Sequence, residues 1–218
     1  MPSVAMFKRE LNKDDMERMR IPYRYWRVTY DEISDVPGEA GYSPKDIVRN
    51  YLEKLDEMID EGFGLFMWGP NGSGKTSASV VIAKEVRRRG NTVLFVEAAA
   101  LKRMVVEGER FDEDETWWNR ASNVDFLLLD DFGKGTLDRT GFGARLIDEL
   151  IRHRNARKLV TFCTSNLDPR DDFDLLIQNG DMIISTKSTL KECMIATEVY
   201  APDRRNDAQE RGIDKLMS

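Results

Sequence analysis

The chain has 218 residues, of which 41% are apolar and 33% charged, and its formal net charge is −6. The length suits one α/β domain with little left for a second, and the negative field excludes a surface that attracts nucleic acid everywhere, so any DNA or RNA contact needs a local basic patch. The longest apolar runs, such as Phe126–Leu129, are strand-sized and exclude a membrane span, residues 1–10 lack the apolar core of a secretory leader, and Cys163 and Cys193 have neither metal-ligand nor redox-pair spacing, so a cytoplasmic, thiol-reducing setting is expected.

Residues 1–20 are polar and rich in Met and charge, and read as a short helix or an arm. Ile21-Pro-Tyr-Arg-Tyr-Trp26 is an aromatic lead-in segment broken by proline, and residues 31–42 read as loop. A helix then starts at Ser43, which suits its cap, with Pro44 in the first turn. Ile47, Val48, Tyr51, Leu52, Leu55, Met58 and Ile59 recur on one helical face, and Gly62 and Gly64 end it. Gly64–Trp68 reads as a buried strand. It runs into a glycine loop and a helix over Lys75–Arg89, closed at Gly90-Asn91. Strands are expected at Thr92–Val96, Val124–Asp130, Leu159–Ser165 and Ile195–Tyr200. Helices are expected at Ala98–Glu107, Glu113–Ser122 and Arg139–Asn155. This alternation predicts a parallel sheet with helices on both faces, and ligands in such sheets bind at the carboxyl ends of the strands.

Two strand ends carry chemistry. Residues 69–76, Gly-Pro-Asn-Gly-Ser-Gly-Lys-Thr, have the spacing of a P-loop between a strand and a helix. Gly69, Gly72 and Gly74 let the backbone wrap phosphates closely, and with Pro70, Asn71, Ser73 and Ser77 they complete the cradle. Lys75 is expected to reach the β and γ phosphates of ATP, and Thr76 to place its hydroxyl on Mg²⁺. Phe126-Leu-Leu-Leu-Asp130-Asp131 is an apolar strand ending in two acids. Asp130 is the expected magnesium partner through water, and Asp131 the base or orienter of the attacking water. Asn166, at the end of the next strand, is placed to touch the γ-phosphate or hold that water. It also fits an ordinary turn before Asp168-Pro169.

Together the glycine loop, the Asp-Asp strand end and Thr164-Ser-Asn166 resemble the AAA+ ATPases, and more narrowly the bacterial helicase loaders of DnaC type and the insertion-sequence transposition helpers of IstB type. Ile21-Pro-Tyr-Arg-Tyr25 is similar to that group's IPxRY segment, Leu129-Asp-Asp-Phe-Gly133 to its LDDxG strand end, and Ala201-Pro-Asp-Arg-Arg205 to the element whose arginine senses the γ-phosphate. The likeness spans residues 20–206. It implies an AAA+ P-loop fold over 21–206 and a tail at 207–218, with no sizeable C-terminal lid. It also implies a slow ATPase, dependent on assembly into oligomers on ATP or DNA, that binds a replicative helicase or a transposase together with DNA, single-stranded DNA foremost. Arg205 is favoured over Arg204 as the phosphate sensor. The resemblance implies an arginine finger after the Asn166 strand, near Lys187–Lys191, but no arginine occurs between Arg170 and Arg204, so Lys191, or else Arg154 or Arg157 at the end of the preceding helix, is left to replace it. Residues 1–20, through Leu11, Met16 and Met19, are left to bind the partner.

Three further readings stay open. The same loop serves small-molecule kinases, although Asp130, Asp131 and Asn166 favour water as acceptor, and an ABC-type ATPase requires a Leu-Ser-Gly-Gly signature that is missing. A binding switch with negligible hydrolysis is compatible with the missing arginine. Lys102, Arg103, Arg110, Phe111, Trp117, Trp118 and Arg120 mix bases with aromatics, as a DNA surface does and as aromatics docked on a sheet also do. His153 and Arg87–Arg89 read as surface, and Cys163 as core.

Overall fold

The computed structural model describes residues 10–38, 41–133, 141–170, 172 and 180–201. Five parallel strands form one sheet: β1 (Gly64–Trp68), β2 (Val93–Glu97), β3 (Phe126–Asp130), β4 (Val160–Ser165) and β5 (Met194–Glu198), in the spatial order β2-β3-β4-β1-β5. Each strand is a short run of β-branched, aliphatic and aromatic residues, and the first four are almost wholly buried, as strands covered on both faces must be.

Alternation along the strands sorts the core into two layers. Leu65, Met67, Phe95, Phe126, Leu128 and Phe162 face α2 (Pro44–Glu53), α3 (Leu55–Glu61) and α4 (Lys75–Arg88). Phe66, Leu94, Val96, Leu127, Leu129 and Cys163 face α5 (Ala98–Val106), α6 (Trp117–Asn123), α7 (Phe142–Asn155) and α8 (Gly180–Cys193). Each such fully buried apolar side chain contributes about 1.5–3 kcal/mol relative to exposure. The two layers therefore hold the strand tips in a fixed register, and those tips carry the polar residues.

Several elements differ from the sequence reading. The helix expected from Ser43 begins there, with a capping box between Ser43 and Asp46 and Pro44 in its first turn. It breaks at Lys54, whose N–H donates to the carbonyl of Tyr51 three residues back, a tighter turn that restarts the helix as α3. The helix expected from Glu113 begins only after Thr116, which caps it. Before that, the Asp112 carboxylate accepts from the N–H groups of Asp114 and Glu115, so the acids form a turn rather than a first helical turn. Helix α8 was not expected at all, because its polar composition, rich in Ser, Thr and Lys, shows no apolar stripe.

The N-terminal segment is corrected most. Residues 13–18 form α1 (Lys13–Arg18), capped by Asn12. Met16 and Met19 are buried in the first core layer, with Leu11 packed against it. The carbonyl of Met19 accepts from Phe95 N–H at 2.8 Å, so the chain runs along the outer edge of β2, and Arg87 pairs with Asp15 at 2.9 Å. From residue 11 onward this stretch is part of the domain, and Met16 and Met19 are not presented to a partner. Residues 1–9 lie outside the described residues, as do 207–218 and the expected Arg204 and Arg205.

Candidate nucleotide-binding site

The glycine loop joins β1 to α4. Gly69, Gly72 and Gly74 have φ of 144°, 79° and 89°, in the region that glycine takes without strain. At Gly69 the need is also spatial, since a Cβ there would lie 2.3 Å from the Val199 carbonyl oxygen. The loop is thus pressed against the chain leaving β5, and Gly69 N–H donates to the Ser165 carbonyl at the end of β4. Lys75 is buried beneath it. Its Nζ donates to the carbonyls of Gly69 at 2.9 Å and Pro70 at 2.8 Å, and lies 3.4 Å from Ser73 Oγ.

The acid pair reaches the same place from β3. Asp130 Oδ1 accepts from Thr76 Oγ1 at 2.8 Å and from Thr164 Oγ1 at 2.6 Å. Thr164 thereby ties β4 to β3, and its hydroxyl also accepts from Asp131 N–H at 3.0 Å. Asp131 turns outward with φ of 55°, a conformation aspartate tolerates better than most residues. Its Oδ1 accepts from Asn166 Nδ2 at 3.2 Å. Burial raises the Asp130 pKa above its ordinary value of 3.8, and the negative charge of Asp131 adds to this. The hydroxyls of Thr164 and Thr76 and the positive charge of Arg24 act in the opposite sense.

These groups line one cleft of about 370 Å³. Asn71, Gly72, Gly74, Lys75, Thr76 and Ser77 line it from the glycine loop and α4, and Asp130, Asp131, Thr164 and Asn166 from the ends of β3 and β4. Gly69, Pro70 and Ser73 hold the lysine. Sequence reasoning missed Arg24, Tyr25 and Glu97, which also line the cleft. Glu97 was findable, because it ends β2 in register beside Asp130. Arg24 and Tyr25 lie 45 and 44 residues before Gly69, and no local pattern links them to the loop.

The other candidates separate. Arg154 is wholly buried at the opposite end of the sheet, where its guanidinium donates to the carbonyls of Ala121, Val124 and Val160 at 2.7 Å and to Thr161 Oγ1 at 2.9 Å. It is a structural cation, and its burial keeps it from any neighbouring subunit. Arg157, exposed at that same end, bonds to Asn123, and Lys191 is exposed on α8. Phe111 and Trp117 meet edge-on at 4.9 Å, with Arg20 and Arg120 over the Phe111 ring, and both aromatics pack with Trp118 against the second core layer. Their primary role is packing.

A parallel sheet with a phosphate loop after one strand and an acid pair at the end of another defines a P-loop nucleotide-binding domain of the AAA+ type. The chain belongs to the family described as IstB-like ATP binding protein, matched over residues 43–186. Over 96 residues it is 28% identical to the chromosomal replication initiator protein DnaA of Aquifex aeolicus (strain VF5), and that stretch covers 44% of this chain and 23% of that protein. The chain therefore spans about a quarter of the curated relative it matches. Its fold resembles that of DnaI (TM-score 0.68, 19% identity, 88% of this chain and all of that one). It resembles the DnaC helicase loader similarly (TM-score 0.65, 20% identity, 82% of this chain and all of that one). Replication initiator DnaA bound to AMPPCP and single-stranded DNA is a third likeness (TM-score 0.59, 19% identity, 85% of this chain and 54% of that one).

Proposed function

We propose that the chain is a slow ATPase switch that acts as a helicase loader, gripping a replicative helicase and DNA in one nucleotide state and releasing them in the other. The observation that carries the ATPase part is the hydrogen bond between Thr76 and Asp130, residues 54 positions apart, at the mouth of the glycine loop. A hydroxyl and a carboxylate are hard oxygen donors suited to Mg²⁺. Among the described residues no three His, Cys, Asp or Glu side chains gather as a metal site. Thr76 and Asp130 are the side chains that would hold such an ion. When bound, the ion supplies charge neutralisation at the phosphates.

The chain's own residues do the rest. Lys75 neutralises the terminal phosphates. Asp131, exposed and steadied by Asn166, orients a water and takes its proton, which favours hydrolysis over transfer to a small molecule. The helicase-loading part is supported by fold likeness to a protein of that activity over its whole length. A transposition helper is the second reading, favoured by membership in the IstB-like family. Oligomers formed on ATP or DNA are proposed to complete the site, with Lys191 or Arg157 as the cation offered to a neighbour.

Two assays decide between these. Free phosphate should be released from ATP with Mg²⁺, with no phosphorylated small molecule formed, and DNA plus partner should stimulate it. A replicative helicase should be retained by the immobilised chain with a non-hydrolysable ATP analogue and lost with ADP. Retention of a transposase instead would transfer the reading to the transposition helper, and undetectable phosphate release under all conditions would leave only a binding switch.

A further inference from the structure

We infer that Arg24, in the aromatic lead-in segment, is a residue by which this chain distinguishes ATP from ADP within its own subunit; the inference rests on the nucleotide reading of the cleft. Among the described residues the cleft is lined by three acids, Glu97, Asp130 and Asp131, and two cations, Lys75 and Arg24. Lys75 is already engaged by the loop carbonyls. A triphosphate brings more negative charge than one lysine and one Mg²⁺ together offset, and it adds to the acids already there. A guanidinium lining the same cleft as the acids is suited to the terminal phosphate by its charge and planar fork.

The segment is built to hold Arg24 there. Pro22 leads into a turn over Tyr23–Tyr25, and Trp26 Nε1 donates back to the Ile21 carbonyl at 2.7 Å. The Arg24 guanidinium lies 4.8 Å from the Tyr25 ring centroid, while the Tyr25 ring packs near Phe95 of β2. Lys84 then clamps the stretch. This buried lysine on α4 donates to the carbonyls of Tyr25 at 3.0 Å, Trp26 at 2.7 Å and Val28 at 2.8 Å. Helix α4 begins at the glycine loop, so one helix carries both the phosphate cradle and the anchor of the arginine. Arg24 is exposed and holds no core position, so its replacement leaves the fold intact.

The test is titration of the full chain with fluorescent ATP and ADP analogues in Mg²⁺, for wild type, Arg24→Gln and Arg24→Lys, with thermal melts as a check on folding. Loss of a charge-assisted contact predicts that Arg24→Gln weakens ATP binding about 10- to 100-fold while ADP affinity stays within about twofold, and that Arg24→Lys falls between. Equal loss for ATP and ADP, or no loss for either, overturns the inference while leaving the nucleotide site standing. Failure of the wild type to bind either nucleotide overturns the nucleotide reading and this inference with it.

Discussion

Asp130 concentrates the conflict between stability and chemistry in one side chain. It is buried, and Asp131 lies next to it in the chain, so its carboxyl holds a proton more readily in the folded chain than in the unfolded one. A group whose pKa rises on folding stabilises the fold most below its unfolded value, near 3.8, and that contribution is lost as pH rises through the higher folded value. Once ionised, Asp130 therefore works against the nucleotide-free fold. Asp130→Asn is expected to raise the melting temperature of the chain without nucleotide and to abolish Mg²⁺-dependent phosphate release. A melting temperature that falls would contradict this.

At the scale of elements, the sequence was legible where one physical rule dominated. β1 was readable because Gly64–Trp68 is apolar and flanked by glycines, and α4 because a glycine loop leads into it. Ser43 announced its helix because Ser, Pro and Asp at those spacings serve a helix start. The break at Lys54 and the existence of α8 were not legible, since both depend on what the helices pack against. The role of Arg154 was hidden for a similar reason. It closes α7 in sequence, like a residue favoured by the helix dipole, yet in space it gathers the carbonyl ends that precede β3 and β4. Replacing it with Met strips the donors from those carbonyls and from Thr161. A loss of about 3 kcal/mol or more is expected, measurable by urea denaturation. ATP affinity of the protein that remains folded should be unchanged, because the cleft lies at the other end of the strands.

For the whole molecule, the two halves of the site were visible in sequence but not their enclosure. The glycine loop and Asp130 were identified because their chemistry needs those residue types in that order, whereas Arg24 and Tyr25 arrive from a segment whose path along β2 is set by tertiary packing. The same packing makes residues 11–20 part of the fold. Deleting residues 1–20 removes the buried Met16 and Met19, each contributing about 1.5–3 kcal/mol, and the hydrogen bond to Phe95. The melting temperature should fall by on the order of 10 °C. A truncated chain that melts with the full-length one would show that the segment is an appendage.

Convergence of the tips of β1 and β3 on one metal–triphosphate is testable most directly by a crystal structure with a non-hydrolysable ATP analogue and Mg²⁺. The triphosphate is expected to be wrapped by residues 69–76, with Thr76 and Asp130 both turned to the metal. An analogue bound elsewhere, with Thr76 still donating to Asp130 beside an empty loop, would contradict that convergence.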